Sequence, residues 1–244
     1  MSLNLSILFK KIFLGALDAL FPISCINCGT PEVFLCKTCL NNFPRRLQQR
    51  CPACLKAITP RGEICFACSG ENLLDGLFAA SHYRDRLVSE SIHTYKYRFI
   101  PGFAKPLGFW LAEKITEIDL PLPDLFVPIP LHPRRLRFRG FNQSELLAET
   151  LSESLAPELN LPVLKNCLLR VRYTKPQIKT VSREERLNNL KDAFIIAKEK
   201  IDLIKGKNIW IIDDVATTGI TLEECARVLK TSGAKRVFGI VLAR

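Results

Sequence analysis

The architecture of this 244-residue chain can be inferred from one segment, Lys207-Asn-Ile-Trp-Ile-Ile-Asp-Asp-Val-Ala-Thr-Thr-Gly-Ile-Thr221. Its apolar run, Ile209 to Ile212, has the length and composition of a buried parallel strand. Two adjacent carboxylates end that run, and a short hydroxyl-rich turn with one glycine follows them. The helix predicted after the turn completes a strand–turn–helix unit, which is typical of α/β folds.

The residues after the predicted strand have the chemistry of a ribose-phosphate site. Ligands of open α/β sheets bind at the carboxyl ends of the strands, where the acceptor-only oxygens of Asp213 and Asp214 could bind a diol. Thr217 to Thr221 open the helix, whose free N–H groups and dipole favour an anion, and Gly219 lets the backbone approach it. The alternative is an N-cap with two acids that only stabilise the helix.

Length and charge constrain the fold and the partners. A chain of 244 residues predicts one or two domains, and 48% hydrophobic residues is typical of globular proteins. The formal net charge of +11 suits anionic partners, either phosphorylated metabolites or nucleic acid, although a basic surface can also serve solubility alone.

The first 22 residues are predicted to form an amphipathic helix, with apolar side chains at helical spacing between Leu5 and Leu20. No apolar run reaches the ~18 residues of a membrane span. Lys10 and Lys11 divide the apolar stretch, so a signal peptide is not predicted and we expect a cytoplasmic protein without a transmembrane segment. Packing on the protein itself and contact with a membrane surface are both compatible with such a helix.

Eight of the ten cysteines form four Cys-x-x-Cys pairs: Cys25/Cys28, Cys36/Cys39, Cys51/Cys54 and Cys65/Cys68. A two-residue spacing lets one turn present both thiolates to a tetrahedral ion, so four pairs predict two structural Zn²⁺ ions. A disulfide framework and a redox motif are the alternatives, but a reducing cytosol favours metal. Sequential and interleaved pairings are both possible, and sequential pairing has the shorter loops.

Residues 23–70 are therefore predicted to be a small zinc-ribbon-like module that metal binding folds, because so short a segment cannot bury a sufficient core. Its basic side chains either contact nucleic acid or face water. The two remaining cysteines, Cys167 and Cys225, are predicted to be buried hydrophobes.

Residues 71–244 alternate strand-like and helix-like segments, which predicts a mainly parallel sheet with flanking helices. The predicted strands are 77–83, 125–130, 194–197, 209–212 and 237–242. The predicted helices include 87–97, 103–118 and 144–154.

A loop is predicted between the strand at Val127 and the helix at Ser144, and it contains four arginines within six residues: Arg134, Arg135, Arg137 and Arg139. Guanidinium groups bind phosphate bidentately, so these arginines at a strand tip predict a pyrophosphate site. A solvated basic loop is the alternative.

Residues 165–191 carry eight basic side chains against two acidic ones. The segment from Tyr173 to Val181 has no apolar period, which is typical of a mobile loop. Lys175, Gln177 and Lys179 are candidates for a lid that closes over a reactive intermediate and excludes water. A tolerant surface loop explains the same composition.

Residues 209–221 resemble the signature of type I phosphoribosyltransferases, which bind phosphoribosyl pyrophosphate (PRPP). Four motifs and the double zinc-binding start together resemble the ComF/GntX family. The motifs are Val127-Pro-Ile-Pro-Leu-His132, Arg139-Gly-Phe-Asn-Gln143, Arg183-Glu-Glu-Arg-Leu-Asn188 and Asp213-Asp-Val-Ala-Thr-Thr-Gly219.

The resemblance implies a type I phosphoribosyltransferase sheet behind a zinc module. It implies that Asp213 and Asp214 hold the ribose hydroxyls. It also implies that Thr217, Thr218, Gly219 and Thr221 hold the 5′-phosphate. The family is associated with uptake of single-stranded DNA during natural transformation, so single-stranded DNA and DNA-uptake proteins are the expected partners beside PRPP.

Three functions fit these features. The first is an enzyme that binds PRPP with Mg²⁺ and transfers the phosphoribosyl group to a nitrogen acceptor, with the loop arginines stabilising the leaving pyrophosphate. The second is a non-catalytic module that senses a metabolite or binds single-stranded DNA. The third is a structural protein that has lost its ligand, against which the intact acid pair argues.

Overall fold

The computed structural model describes residues 23–44, 47–70, 73–155, 157–159, 161–173, 190 and 192–244. The predicted N-terminal helix therefore lies outside the described residues, as do Lys175, Gln177 and Lys179. The chain divides into two compact units, residues 1–43 and 44–244. The second cysteine cluster thus shares a unit with the sheet, while the boundary predicted at residue 70 stays a prediction.

In the first unit, residues 23–43 fold around four cysteines. The backbone N–H of Gly29 donates to Cys25 O at 2.9 Å, closing a tight turn in which Gly29 has φ +76°. Helix α1 (Lys37–Asn41) then begins after Cys36, whose sulfur accepts the N–H of Cys39 at 3.4 Å. These short turns bring the two pairs of cysteines together.

The second unit is built on a four-stranded parallel sheet in the order β1–β6–β5–β2. The strands are β1 (Gly76–Ser81), β2 (Leu125–Pro128), β5 (Asn208–Val215) and β6 (Arg236–Ala243). The predicted mainly parallel sheet is confirmed. Its central strands β5 and β6 are almost wholly buried, because both faces of the sheet are covered and apolar side chains are needed on each.

Helices cover both faces of this sheet. They are α2 (Arg86–Tyr97), α3 (Ala104–Thr116), α4 (Pro133–Arg139), α5 (Gln143–Leu155), α6 (Ile201–Ile204) and α7 (Ile220–Thr231). Gly108 allows α3 to approach α5 closely, because a Cβ at this position would lie 2.6 Å from Thr150. None of the described helices combines the length and the apolar character that crossing a bilayer requires.

Strands β3 (Leu168–Arg170) and β4 (Phe194–Ile196) pair antiparallel in a separate two-stranded sheet. The prediction that residues 194–197 belong to the main sheet is therefore wrong. The burial explains the difference, since Phe194 is buried and Ile195 is 45% exposed. Such a strand packs on one face only, so it does not need the continuous apolar run of a central parallel strand.

The second cysteine segment covers the outer edge of β1. The side-chain amide of Gln49 donates to Ala79 O at 2.9 Å and accepts the N–H of Ala79 at 3.1 Å. Leu77 N donates to Gly62 O at 2.9 Å, and a Cβ on Gly62 would lie 2.1 Å from Leu77 O. The edge strand is thus satisfied by residues of the cysteine segment, which protects it from pairing with other chains.

Candidate functional site

The acid pair lies at the carboxyl end of β5, in the middle of the parallel sheet. Asp213 Oδ1 accepts hydrogen bonds from Ser144 Oγ and from the backbone N–H of Asp214, both at 2.9 Å. Ser144 belongs to the first turn of α5, so this helix and the strand fix the Asp213 carboxylate together. Asp214 is more enclosed, with 2% of its surface exposed.

Lys96, in the last turn of α2, is paired with the second acid. Its Nζ lies 2.8 Å from Asp214 Oδ1. Burial opposes the charge of Lys96, but the carboxylates of Asp214 and Asp213 outweigh it and raise the lysine pKa. The other oxygen, Asp214 Oδ2, is buried and has no hydrogen-bond partner among the described residues. One lysine therefore neutralises part of the pair and leaves one acceptor unsatisfied.

Asp213 has a perturbed acidity. Burial and the adjacent charge of Asp214 raise its pKa from 3.8 to about 7, and Lys96 and the hydrogen bond from Ser144 offset this only in part. Near neutral pH this carboxyl group therefore exchanges readily between its protonated and ionised forms. A shift of this kind in a cleft is common at functional sites.

The turn after the acids leads directly into α7. Ala216 is buried and its N–H donates to Ala243 O at 3.0 Å, which ties the start of the turn to β6. Gly219 is the N-cap with φ +78°, a left-handed conformation that favours glycine. The N–H groups of the first helical turn have no intrahelical acceptor and lie at the positive end of the dipole. This arrangement can bind an anion.

The arginine-rich segment is helical, not the predicted loop. His132 caps α4, its Nδ1 accepting the N–H of Arg134 at 3.2 Å, and Pro133 has a fixed φ that suits the first turn. Side chains four positions apart share one face of a helix. Arg135 and Arg139 accordingly line the same cavity, whereas Arg134 and Arg137 are exposed and do not.

A second basic group comes from the end of β3. Arg170 and Arg172 line the cavity opposite α4, together with Tyr173. Burial lowers the pKa of Arg170, and the positive charge of Arg135 lowers it further. Burial likewise lowers the pKa of Arg139, against the raising effect of Asp214. Mutual repulsion of these guanidinium groups makes the cavity a favourable place for an anion.

The acids, the turn and the arginines surround one cavity of about 640 Å³. Seven residues predicted from sequence line it: Asp213, Asp214, Thr217, Thr218, Thr221, Arg135 and Arg139. Gly219 lies in the turn itself. Lining residues that the sequence argument missed are Lys96, Tyr97, Gln143, Arg170, Arg172 and Tyr173.

Only some of the lining residues that were not predicted had a recognisable signal in the sequence. Arg170 and Arg172 belong to the basic run noted in residues 165–191, which was a usable signal. Lys96 had none, because a lysine in the last turn of a helix is usually a solvated residue that favours the dipole.

Each set of four cysteines forms a compact cluster. The sulfurs of Cys25, Cys28, Cys36 and Cys39 lie within 4.8 Å of one another, and so do those of Cys51, Cys54, Cys65 and Cys68. Tetrahedral zinc with Zn–S bonds of about 2.3 Å requires S–S separations of about 3.8 Å, so the spacing fits a single ion in each cluster. The sequential pairing is confirmed.

Within one cluster, the pKa values of two thiols are shifted in opposite directions. In the second cluster, backbone N–H groups of Ala57 and Lys56 lower the pKa of Cys54 to about 6. The pKa of Cys68 is raised to about 12 by its interaction with Cys65 and by burial. Four thiolates so close together repel one another, and a bound divalent cation would stabilise all of them in the ionised form.

The predicted buried thiols Cys167 and Cys225 are confirmed, with 1% and 0% of their surface exposed. Burial raises the pKa of Cys225 well above its usual value. Both residues therefore belong to the apolar core and not to a metal cluster.

Comparison with known proteins identifies the C-terminal part of this architecture. Residues 146–244 match the family model described as the phosphoribosyl transferase domain. A solved structure of the allosteric regulatory enzyme of purine biosynthesis aligns with a TM-score of 0.40 at 16% identity, covering 61% of this chain and 29% of that one. The parallel sheet with flanking helices is a phosphoribosyltransferase-like fold, as predicted.

Two relatives cover nearly the whole chain. DNA utilization protein YhgH of Salmonella typhi is 32% identical over 213 residues, which are 83% of this chain and 87% of that protein. Competence protein F of Haemophilus influenzae is 30% identical over 238 residues, which are 92% of this chain and 98% of that protein. With this identity over almost the full length of the second relative, the chain belongs to the ComF family.

Proposed function

We propose that this protein binds PRPP, with the ribose diol on Asp213 and Asp214 and the 5′-phosphate on the turn from Thr217 to Thr221. The observation that carries the proposal is Asp214, which lines the cavity and whose Oδ2 is a buried acceptor without a hydrogen-bond partner among the described residues. Leaving such an oxygen unsatisfied is unfavourable. A ribose hydroxyl would supply the missing donor.

The charges around the cavity support a ligand with several phosphates. Four arginines and one lysine line it, against two carboxylates: Arg135, Arg139, Arg170, Arg172, Lys96, Asp213 and Asp214. The turn after β5 can bind one phosphate through its N–H groups. The arginines of α4 and β3 would then bind the diphosphate, with a Mg²⁺ ion that enters together with it.

A transfer reaction is the catalytic extension of this binding. The bond between the ribose anomeric carbon and the diphosphate oxygen would break, a bond from that carbon to an acceptor nitrogen would form, and diphosphate would leave with the bonding electron pair. Arg135 and Arg139 would stabilise the charge on the leaving group. The acids would hold the ribose so that the acceptor meets the anomeric carbon.

Binding of single-stranded DNA is a second candidate, favoured by relatives named for competence and for DNA utilization. The exposed side chains of Arg134 and Arg137 provide phosphate contacts outside the cavity. DNA binding through such contacts should weaken steeply with salt. A salt titration of an oligonucleotide complex, repeated with both arginines changed to glutamine, tests this function; an unchanged salt slope would count against it.

Calorimetry with PRPP and Mg²⁺ tests the main proposal. We expect Asp213→Asn with Asp214→Asn to reduce PRPP affinity at least tenfold, because hydrogen bonds to charged groups contribute about 1.5–3 kcal/mol each. Asp202→Asn is the matched control, since Asp202 is exposed and pairs only with Lys205 among the described residues. The zinc content of both variants should equal that of the unmodified protein. Undiminished PRPP binding in the double variant would refute the site.

A separate assay distinguishes the enzyme from the binding module. The protein, PRPP and Mg²⁺ are incubated with a panel of nitrogenous bases, and release of diphosphate is measured. Release that depends on one base identifies a transferase and its acceptor. Binding without release over the same panel identifies a non-catalytic PRPP module.

We also propose that the metal in both cysteine clusters is zinc, with a structural role. Four sulfur ligands leave no open position for a substrate. Elemental analysis should find two zinc ions per chain, and one ion or none would contradict this assignment.

A further inference from the structure

Three exposed aromatic side chains either line the cavity or lie within two residues of a lining residue along the chain, and we call them the aromatic platform: Tyr97, Phe99 and Phe138. Their exposed fractions are 56%, 39% and 77%. Phe99 and Phe138 make an edge-to-face contact, with ring centroids 5.3 Å apart and planes at 84°. Phenylalanine is among the residue types most often fully buried, so two exposed phenylalanines in contact with each other are unusual.

Phe99 adopts a backbone conformation that is unfavourable for most residues other than glycine. Helix α2 ends at Tyr97, and the N–H of its C-cap residue, Arg98, donates to Thr94 O at 3.0 Å. The next residue, Phe99, has φ +56°. Glycine is the usual residue at this position after a helix, because a side chain is strained there. The chain keeps a phenylalanine at a strained position where its ring contacts Phe138 and water.

The platform is continuous with the proposed binding site. Tyr97 is itself part of the cavity wall, next to Lys96 and its carboxylate partner. Arg139, which also lines the cavity, has its guanidinium carbon 5.8 Å from the centroid of the Tyr97 ring. Phe138 directly precedes Arg139, and Phe99 follows Tyr97 by two residues, so the platform adjoins the cavity wall along both segments.

We propose that the aromatic platform stacks the nucleobase of a nucleotide whose phosphoribosyl group occupies the cavity. This inference rests on the proposed function and adds the chemical class of the group attached to the ribose, which is a nucleobase. Every nucleobase presents a π-face, and stacking on aromatic side chains binds it with little dependence on its identity. Arginine beside an aromatic ring adds a cation that favours the attached phosphate.

The test compares two ligands that differ only by the base, ribose 5-phosphate and AMP, on the full-length zinc-loaded protein. In the unmodified protein AMP should bind about tenfold or more tightly than ribose 5-phosphate. Phe138→Ala and Phe99→Gly should each bring the AMP affinity close to that of ribose 5-phosphate while leaving the latter unchanged. Phe109→Ala is the control, because Phe109 is 52% exposed on α3 and does not line the cavity.

Phe99→Gly also separates a binding role from a structural one. Glycine relieves the strain of a positive φ, so the melting temperature of this variant should be equal to that of the unmodified protein or higher. A variant that is as stable as the parent but has lost the advantage of AMP supports the platform. An AMP advantage that survives both substitutions overturns it.

The remaining outcomes separate this inference from the proposed function. If ribose 5-phosphate binds and AMP binds no better, the platform is wrong and the phosphoribosyl site stands. If neither ligand binds the unmodified protein, both proposals fall. A thymidine oligonucleotide provides a further arm: if the substitutions weaken only the oligonucleotide, the rings stack bases of a strand, which overturns the assignment to the cavity-bound nucleotide.

Discussion

At the scale of single residues, Lys96 compensates the acid pair of the site. Its ammonium group lies 2.8 Å from Asp214 Oδ1, and the carboxylate of Asp213 is adjacent. Without it, two neighbouring carboxylates would remain in a poorly solvated position, where repulsion and desolvation both favour protonation. The charge of Lys96 therefore opposes the rise in the pKa of Asp213 that burial and Asp214 cause.

Lys96→Met should destabilise the protein by about 3 kcal/mol, because removing one partner of a largely buried ion pair leaves an uncompensated charge. Thermal denaturation of zinc-loaded protein at pH 7.5 measures the effect. Lys205→Met is the control, since the pair of Lys205 with Asp202 has a similar distance of 2.7 Å but is exposed. That change should cost less than about 1 kcal/mol. Equal losses in both variants would contradict the role of Lys96.

PRPP affinity should rise with pH between 6 and 8. The pKa of Asp213 is raised to about 7 by burial and by Asp214, so this group is about one-tenth ionised at pH 6 and nine-tenths ionised at pH 8. Only the ionised carboxylate can accept hydrogen bonds from two ribose hydroxyls through both oxygens, because the protonated group carries an O–H donor on one of them. The groups facing Asp213 are Asp214, Lys96, Ser144 and the more distant Arg139 and Arg170.

Calorimetry at three pH values measures this dependence, and we expect an increase of about tenfold. The Asp213→Asn variant is the control for titration of the PRPP phosphate itself, and its affinity should vary less with pH. The contribution of Asp213 to the free energy of unfolding changes with pH in the opposite direction to the PRPP affinity. Because the folded state raises its pKa, that contribution is present at low pH and is lost as the pH rises from about 4 through 7. Parallel pH profiles of the two proteins would contradict the assignment.

At the scale of elements, α4 determines which arginines reach the ligand. A helix of seven residues separates the four arginines into a pair that lines the cavity and a pair that faces solvent. Arg135→Gln should therefore weaken PRPP binding about tenfold or more, through loss of charge-assisted hydrogen bonds. Arg137→Gln removes the same charge from the same helix and should change the affinity less than threefold. Equal losses would show that net charge matters and the helical face does not.

The same helix shows why part of the site could not be predicted from sequence. Proline and four arginines carry no apolar period, so the segment looked like a loop, although His132 and Pro133 are good helix-start residues. The acids and the threonine turn were predictable, because a strand end and a helix start are adjacent in the chain. Lys96 and Arg170 come from distant segments, and only the folded sheet brings them to Asp214.

At the scale of the whole molecule, metal and sheet are linked through the second cysteine cluster. Cys51, Cys54, Cys65 and Cys68 belong to the same compact unit as β1, and their segment covers the edge of that strand. The clusters were predictable from spacing alone. The cover over the edge strand was not, because its hydrogen bonds join Gln49 to Ala79 and Gly62 to Leu77, and no local sequence pattern relates these residues.

Cys65→Ser with Cys68→Ser should lower the melting temperature of the sheet and promote aggregation, since metal loss unfolds such segments and frees an edge strand. Near-ultraviolet circular dichroism and light scattering measure the two effects. Cys28→Ser with Cys36→Ser, in the other compact unit, is the matched control and should leave the melting of the sheet within about 2 °C. This range corresponds to roughly 0.5 kcal/mol for a domain of this size. A greater loss in the control would contradict the link.

One contact within this cover restricts which residue types are compatible with position 49. The carboxamide of Gln49 copies a peptide group, giving and receiving one hydrogen bond with Ala79 as a neighbouring strand would. Glutamate lacks the donor, lysine lacks the acceptor, and asparagine is shorter by one methylene. Among homologues that retain the four cysteines of this segment, glutamine should recur at this position even where the surrounding surface has diverged.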